Sequence, residues 1–313
     1  MSNPEENYLP FAKRFLIYQK ERFPFIAHGI MISAFTFSAV SYSRICRGKE
    51  GFINWSDFFI GVFATVTLFF LVRIFDEFKD HEDDIKYRTY LPVPRGLMSL
   101  QELKIIGLVV GITQIAVIAI FQLQMLYLYV IVLLYLCLMG VEFFVPEWLK
   151  KRQIIYITSH MVIIPLIDIY ASGLDWLLGG GHPHWGLAWF FAVSYTNGLV
   201  LEFGRKIRTP EGEEPNVVSY TGLYGTRGGT LIWIGLMFTT MLLAIGASYY
   251  ANYSSWAILI LGVCFVLCSL PGWSFLKTPT AKKSKYIEYT TALWTILMYL
   301  ALGGIPMLKG LLS

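Results

Sequence analysis

Apolar runs long enough to form membrane helices recur along the whole chain, separated by short polar segments. A hydrocarbon core of roughly 30 Å takes about 20 apolar residues per helix, and nine candidate spans meet that demand, at roughly 23–43, 55–75, 104–121, 125–146, 154–172, 185–201, 230–250, 255–276 and 287–308. His160 and Asp168 interrupt the fifth, and the sixth is short. Two polar loops, 76–103 and 202–229, are much longer than the others. The pattern predicts an all-α fold, a polytopic membrane bundle of nine transmembrane helices built as one domain over residues 1–313.

Composition agrees: 56% of residues are hydrophobic and 15% charged, with a mean hydropathy of +0.56, well outside the range of ordinary soluble domains. Charge then orients the bundle. With the N-terminus cytoplasmic, the inner segments collect 21 of the 25 lysines and arginines, leaving Arg44, Arg47, Lys49 and Lys309 outside, as the bias of basic residues toward cytoplasmic loops expects. The net charge of +4 is therefore a matter of membrane orientation, and no nucleic-acid partner is expected. Residues 1–22 read as a short amphipathic cytoplasmic lead-in lying on lipid, not as a cleaved signal. Cys46, Cys137, Cys264 and Cys268 lack His or carboxylate company, so neither disulfides nor metal sites are expected of them. The expected location is a bacterial inner membrane.

One stretch breaks the apolar pattern sharply. "DEFKDHEDD", Asp76 to Asp84, places six carboxylates in nine residues directly after the second span. Read as a helix at about 100° per residue, Asp76, Asp80 and Asp83 share a face, with Glu77, Asp84 and Arg73 adjoining. Carboxylates gathered in this way repel one another unless a cation lies among them. Oxygen donors favour Mg²⁺, which keeps waters and commonly bridges to phosphates. A solvated polar turn at the membrane surface is the plainer alternative.

With that stretch in its setting, the sequence resembles the UbiA superfamily of intramembrane prenyltransferases. The family's first motif, N-D-x-x-D-x-x-x-D at the end of the second helix, is similar to "DEFKDHEDD", with Asp76 and Glu77 in the first two places, then Asp80 and Asp84. The resemblance implies an isoprenyl diphosphate substrate, Mg²⁺ held by acidic motifs after helices 2 and 6, and a lipophilic tail cavity among the helices. The second motif departs from the family pattern. Laying "LEFGRKIRTPEGEEP" on the first motif through the shared "EF" pairs Glu77 with Glu202, Asp80 with Arg205 and Asp84 with Thr209. One acid of three survives, and two cations arrive. The expected metal ligands are thus Asp76, Glu77, Asp80 and Asp84, with Glu202 contributing. Arg205 and Lys206 are expected to grip phosphate from the opposite side, because a guanidinium offers a planar fork and an ammonium a point charge; positive-inside placement would also explain the pair. Glu211, Glu213 and Glu214 are either further ligands or an exposed charged loop.

Arg73, Arg88 and Arg95 are further candidate phosphate contacts, the last two in a loop stiffened by Pro92 and Pro94. Within the apolar spans Glu142, His160, Asp168 and Asn197 are polar and so functional candidates: Asn197 for substrate, Asp168 or Glu142 as a base that removes the final proton. The 51 aromatic residues serve partly as interfacial belt and partly as walls for an allylic cation. Expected partners are an isoprenyl diphosphate, a lipophilic acceptor of aromatic or quinone type, and membrane lipids. Intramolecular cyclisation to a terpene is the alternative outcome for the same cation. A transporter would spread its ionisable residues along a path, whereas here they gather on one side.

Overall fold

The structure, a computed structural model, describes residues 9–214, 217–252 and 256–312. The first eight residues of the expected lead-in, and the residue that begins the eighth expected span, lie outside the described residues. Every regular element among those described is helical. The chain groups into two compact units, residues 1–33 with 55–152, and residues 34–54 with 153–313.

The first unit opens with α1 (Phe11–Arg22), followed by the start of α2 (Phe25–Cys46). It continues with α3 (Trp55–Lys79), α4 (His81–Tyr87), α5 (Leu100–Phe121), α6 (Leu126–Gly140) and α7 (Pro146–Lys150). α1 is seated by aromatic contacts, with Phe15 edge-on to Phe70 at 6.4 Å between ring centroids and Tyr18 fully buried. α5 begins at a reciprocal cap: Ser99 Oγ accepts from the Glu102 amide at 3.1 Å, and the Glu102 carboxylate accepts from the Ser99 amide at 2.9 Å, which satisfies two helix-end donors at once. The loop before it is folded, with the Leu97 amide donating to the Pro92 carbonyl at 2.9 Å and Leu97 and Met98 buried. Gly96 there takes φ +83°, a turn conformation that side chains resist.

The second unit holds the remainder of α2, then α8 (Gln153–Met161), α9 (Ile163–Trp176), α10 (Leu187–Arg205), α11 (Tyr220–Tyr250), α12 (Trp256–Lys277), α13 (Ala281–Tyr299) and α14 (Ile305–Leu312). α8 and α9 together make the expected fifth span, and α13 runs into α14 through a π-helical turn at Leu300–Gly304. α11 starts earlier than the apolar pattern suggests, because Ser219 caps it, accepting from the Gly222 amide at 2.8 Å. The chain then bends at Gly225, φ +73° and ψ +157°, so Tyr220–Tyr224 form one added turn before the span proper.

Eight helical segments among the described residues are long and apolar enough to cross a membrane. The expected span at 185–201 falls on α10, which with 19 residues is long enough but not apolar enough to be among the eight. Large apolar side chains stand exposed on these helices, Ile105, Leu108 and Ile112 of α5 among them. A surface of that kind suits hydrocarbon rather than water. The chain is an integral, multi-pass membrane protein.

Candidate active site

The acidic stretch in the first unit is not one continuous helix. α3 ends at Lys79 and α4 starts at His81, with Asp80 between them at φ −90° and ψ +1°. That break changes which acids share a side. Glu77 and Asp84 are buried, Asp76 and Asp80 are half-buried, and Glu82 and Asp83 face outward. The 100° spacing placed Asp83 beside Asp76 and Asp80; the local unwinding at Asp80 turns it away and brings Asp84 inward instead.

Fixed cations accompany these acids. Arg73 lies 3.8 Å from Asp76, and Lys79 lies 3.4 Å from Asp76 and 3.9 Å from Asp80. Glu77 is the most heavily engaged: its Oε1 accepts from Arg22 Nε at 2.6 Å, Arg73 Nη2 at 3.0 Å and Tyr18 Oη at 3.5 Å. Asp84 is the opposite case. Arg88 Nε approaches its Oδ1 at 2.9 Å, yet outside hydrogen-bond geometry, and both carboxylate oxygens are buried without a hydrogen-bond donor. Burial accordingly raises the Asp80 and Asp84 carboxyls above their ordinary value, more than neighbouring Lys79 and Arg88 lower them. Arg95, expected to touch phosphate, grips Glu21 of α1 through both Nη atoms at 2.8 Å and the Tyr90 carbonyl at 2.9 Å.

In the second unit, the end of α10 is electrostatically closed. Glu202 Oε2 accepts from Arg205 Nη2 at 2.5 Å, and Lys206 Nζ lies 2.5 Å from its Oε1. Phe203 stacks on Tyr220 with centroids 3.7 Å apart. Gly204 allows α10 to meet α13 here, since a Cβ at that position would lie 2.1 Å from Thr291 Oγ1. The following loop is stapled: Glu213 accepts from Ser219 Oγ at 2.5 Å and from Thr221 Oγ1 at 2.9 Å, and Ser284 Oγ donates to the Ile207 carbonyl at 2.5 Å. Glu214 pairs with Arg208 at 3.1 Å. Glu213 and Glu214, weighed from the sequence as further ligands, are therefore occupied in folding the loop.

The polar residues of the spans divide. Asp168, Ser194 and Asn197 are completely buried, with Ser194 beside Asp168 and Tyr299 beside Ser194 and Asn197. His160 Nδ1 instead meets the Tyr156 carbonyl at 2.8 Å, with the two rings stacked at 4.1 Å. Glu142 does not sit within a span. It starts a left-handed turn after α6, in which Glu142, Phe143 and Phe144 all have positive φ.

Two groups of residues escaped the sequence reading. Tyr18 and Arg22 reach Glu77 from α1, and no spacing in the chain links positions 55 residues or more apart. Arg44 and Arg47, exceptions to the charge bias, are held with Ser43 on the buried Asp175 at 3.0, 3.0 and 2.7 Å. A buried counter-ion accounts for two of the four outlying cations.

Among the described residues no three His, Cys, Asp or Glu side chains converge into a ready-made metal cage. Mg²⁺ does not require one, because it commonly binds through one or two carboxylates and retains water. Asp76, Asp80 and Asp84 are oxygen donors four residues apart, and the buried oxygens of Asp84, with Arg88 near but out of hydrogen-bond geometry, are short of donors. Their carboxylates are of the chemistry that Mg²⁺ takes. Glu77, whose Oε1 is taken by Arg22 and Arg73, and Glu202, whose two oxygens are taken by Arg205 and Lys206, fit it less well.

Comparison of the sequence with curated proteins gives no match. The fold is similar to that of a solved digeranylgeranylglyceryl phosphate synthase, with a TM-score of 0.61 at 15% identity, covering 94% of this chain and 99% of that one. At that identity the likeness is one of fold. The sequence profile of the UbiA prenyltransferase family matches residues 34–296, a stretch that includes the broken acidic helix and the closed end of α10, and the chain belongs to that family.

Proposed function

We propose that the protein is an intramembrane prenyltransferase that ionises an isoprenyl diphosphate with Mg²⁺ and passes the prenyl group to a lipophilic acceptor of aromatic or quinone type. The observation that carries this reading is Asp84, a buried carboxylate with no hydrogen-bond donor, in the third acidic place of the family's first motif. Asp76, Asp80 and Asp84 would hold the metal. When bound, Mg²⁺ supplies positive charge against the diphosphate oxygens, the kind of electrostatic help that weighs most in such reactions.

The chain's own residues have the remaining tasks. Arg88, beside Asp84, and the half-exposed Lys206 and more exposed Arg205 offer fixed cations to phosphate oxygens. The C1–O bond breaks with its electron pair leaving on diphosphate, the acceptor's π electrons form the new bond to C1, and the acceptor's proton is lost. Asp168, completely buried among the helices, is the proposed destination of that proton. Aromatic faces stabilise the allylic cation, and the apolar helices exclude water from it.

The test is incubation of purified protein with Mg²⁺ and geranyl, farnesyl or geranylgeranyl diphosphate, first without acceptor, with products analysed by gas chromatography and mass detection. Unreacted diphosphate or slow hydrolysis to the linear alcohol is expected, with turnover restored by a phenolic acceptor. A dominant cyclic hydrocarbon at catalytic turnover, absent from an Asp80→Asn control, would replace transfer by cyclisation.

A further inference from the structure

We propose that Glu77 is a positioning residue and not a metal ligand: its carboxylate anchors α1 to the acidic motif and keeps two guanidinium groups off the metal-binding carboxylates. This rests on the Mg²⁺ reading of the motif, and it departs from what the motif's spacing alone assigns to that position.

The geometry at Glu77 is that of a counter-ion. Its side chain is 1% exposed, and a single oxygen receives two guanidinium donors and a phenol. A carboxylate oxygen has two lone-pair sites, so a metal at Oε1 would have to displace Arg22 or Arg73, and one at Oε2 would be repelled by the two guanidinium groups already on the same carboxylate. Removing one partner of a buried ion pair leaves the other charge unsatisfied.

α1 is fastened at three points, and Glu77 is the buried one. Arg14 grips both oxygens of Glu102 at 3.0 and 2.6 Å and the Leu97 carbonyl at 3.0 Å. Glu21 pairs with Arg95, and Arg22 with Glu77. Through these contacts α1 is tied to α3, to α5 and to the loop that follows the acids. A helix lying only on lipid would need none of them.

The two arginines matter to the metal because of what else they reach. Arg73 is 3.8 Å from Asp76 and acts electrostatically on Asp80, while Arg22 acts on Asp84. With Glu77 neutralised, both guanidinium groups would turn to the carboxylates that Mg²⁺ needs. Glu77 thus protects the ligands by occupying their competitors.

The experiment uses the full chain in nanodiscs, with Mg²⁺ binding followed by calorimetry and α1 followed by hydrogen exchange of the 11–22 amides. Glu77→Gln is expected to weaken Mg²⁺ about tenfold, and Glu77→Gln with both Arg22→Gln and Arg73→Gln to recover to within about threefold of the natural chain. Exchange of α1 should rise at least about tenfold in Glu77→Gln and Arg22→Gln but not in Asp84→Asn, which loses Mg²⁺ directly. A triple variant as weak as Glu77→Gln alone would make Glu77 a ligand and overturn the proposal. So would unchanged α1 exchange in both single variants. Should Glu77→Gln not fold, Arg22→Gln decides from the other side: faster α1 exchange at unchanged Mg²⁺ affinity supports the anchor. Affinity strengthened about tenfold would show a ligand released from its arginine, and would overturn it. If the natural chain binds no Mg²⁺, the metal reading fails and takes the protective role with it, while the exchange comparison still decides whether Glu77 anchors α1.

Discussion

The ends of α3 and α10 carry the same kinds of side chain in opposite balance. After α3, acids outnumber their cations, and one of them, Asp84, is buried with neither oxygen accepting a hydrogen bond. At α10 the single acid, Glu202, is held at 2.5 Å by both Arg205 and Lys206, so the cations are in excess. The first end carries negative charge in excess of its cations. The second lacks negative charge and is suited to an anion. In the overlay of the two motifs Arg205 stands where the first has Asp80 and Thr209 where it has Asp84, which is how the balance of charge is reversed at the second end.

The comparison breaks most visibly at Asp84. Asp84→Asn keeps the shape and removes the charge, so prenyl-transfer turnover should fall by about 10²–10³, the cost of losing a strong electrostatic contributor, while the unfolding midpoint does not fall. Steady-state rates with and without EDTA, beside a thermal melt in detergent, check both halves. A variant that unfolds would mean that Asp84 packs, and one equally active in EDTA would mean that no metal is used.

The anion-seeking end is tested next. Arg205→Ala should weaken inorganic pyrophosphate as an inhibitor by one to two orders of magnitude, since charge-assisted contacts are worth about 1.5–3 kcal/mol. Inhibition unchanged in both Arg205→Ala and Lys206→Ala would leave that pair with a role in membrane orientation alone.

Much of this contrast could be read from the chain, and the unread parts have a common cause. Apolar run length located the spans because hydrocarbon thickness fixes it, and the acids of Asp76–Asp84 stood out because few charges surround them. Which acid was buried could not be read. A uniform helix put Asp83 on the shared face, and one non-helical residue, Asp80, exchanged it for Asp84. The partners of Glu77 were also hidden, because Tyr18 and Arg22 come from a segment whose pattern suggested only a surface helix. Glu213 was ambiguous for a related reason: a loop acid that staples Ser219 and Thr221 looks in sequence like one that awaits a ligand. Periodicity reports elements; ion pairs between elements distant in sequence leave no periodic trace.

A stability measurement sharpens the difference between the two ends further. Glu202→Gln removes the partner of two cations at once and should cost about 1–2 kcal/mol of unfolding free energy, less than a fully buried pair because Arg205 and Lys206 reach solvent. Its Mg²⁺ affinity should change little. The reverse pattern, a stable protein with metal binding lost, would move Glu202 from counter-ion to ligand.

The smallest effect is the pH dependence of the first end, and its sign is fixed by burial. The Asp80 and Asp84 carboxyls are raised above their ordinary value, chiefly by desolvation. Between the raised folded values and the unfolded value of about 3.9, the folded state therefore holds more protons than the unfolded one, and without metal its stability increases as pH falls through that window. Mg²⁺ binding runs the other way, because the carboxylates must first lose those protons. Lowering the pH from neutral toward 4 should thus raise the metal-free midpoint relative to Asp84→Asn while shrinking the increment that Mg²⁺ adds. Taking the difference between the two chains removes the titration of every group they share. Thermal melts at a series of pH values, with Mg²⁺ and with EDTA, give both trends. A difference that falls or stays flat in EDTA would mean that Asp84 is neutralised by Arg88 in the metal-free protein, and the first end would then resemble the second.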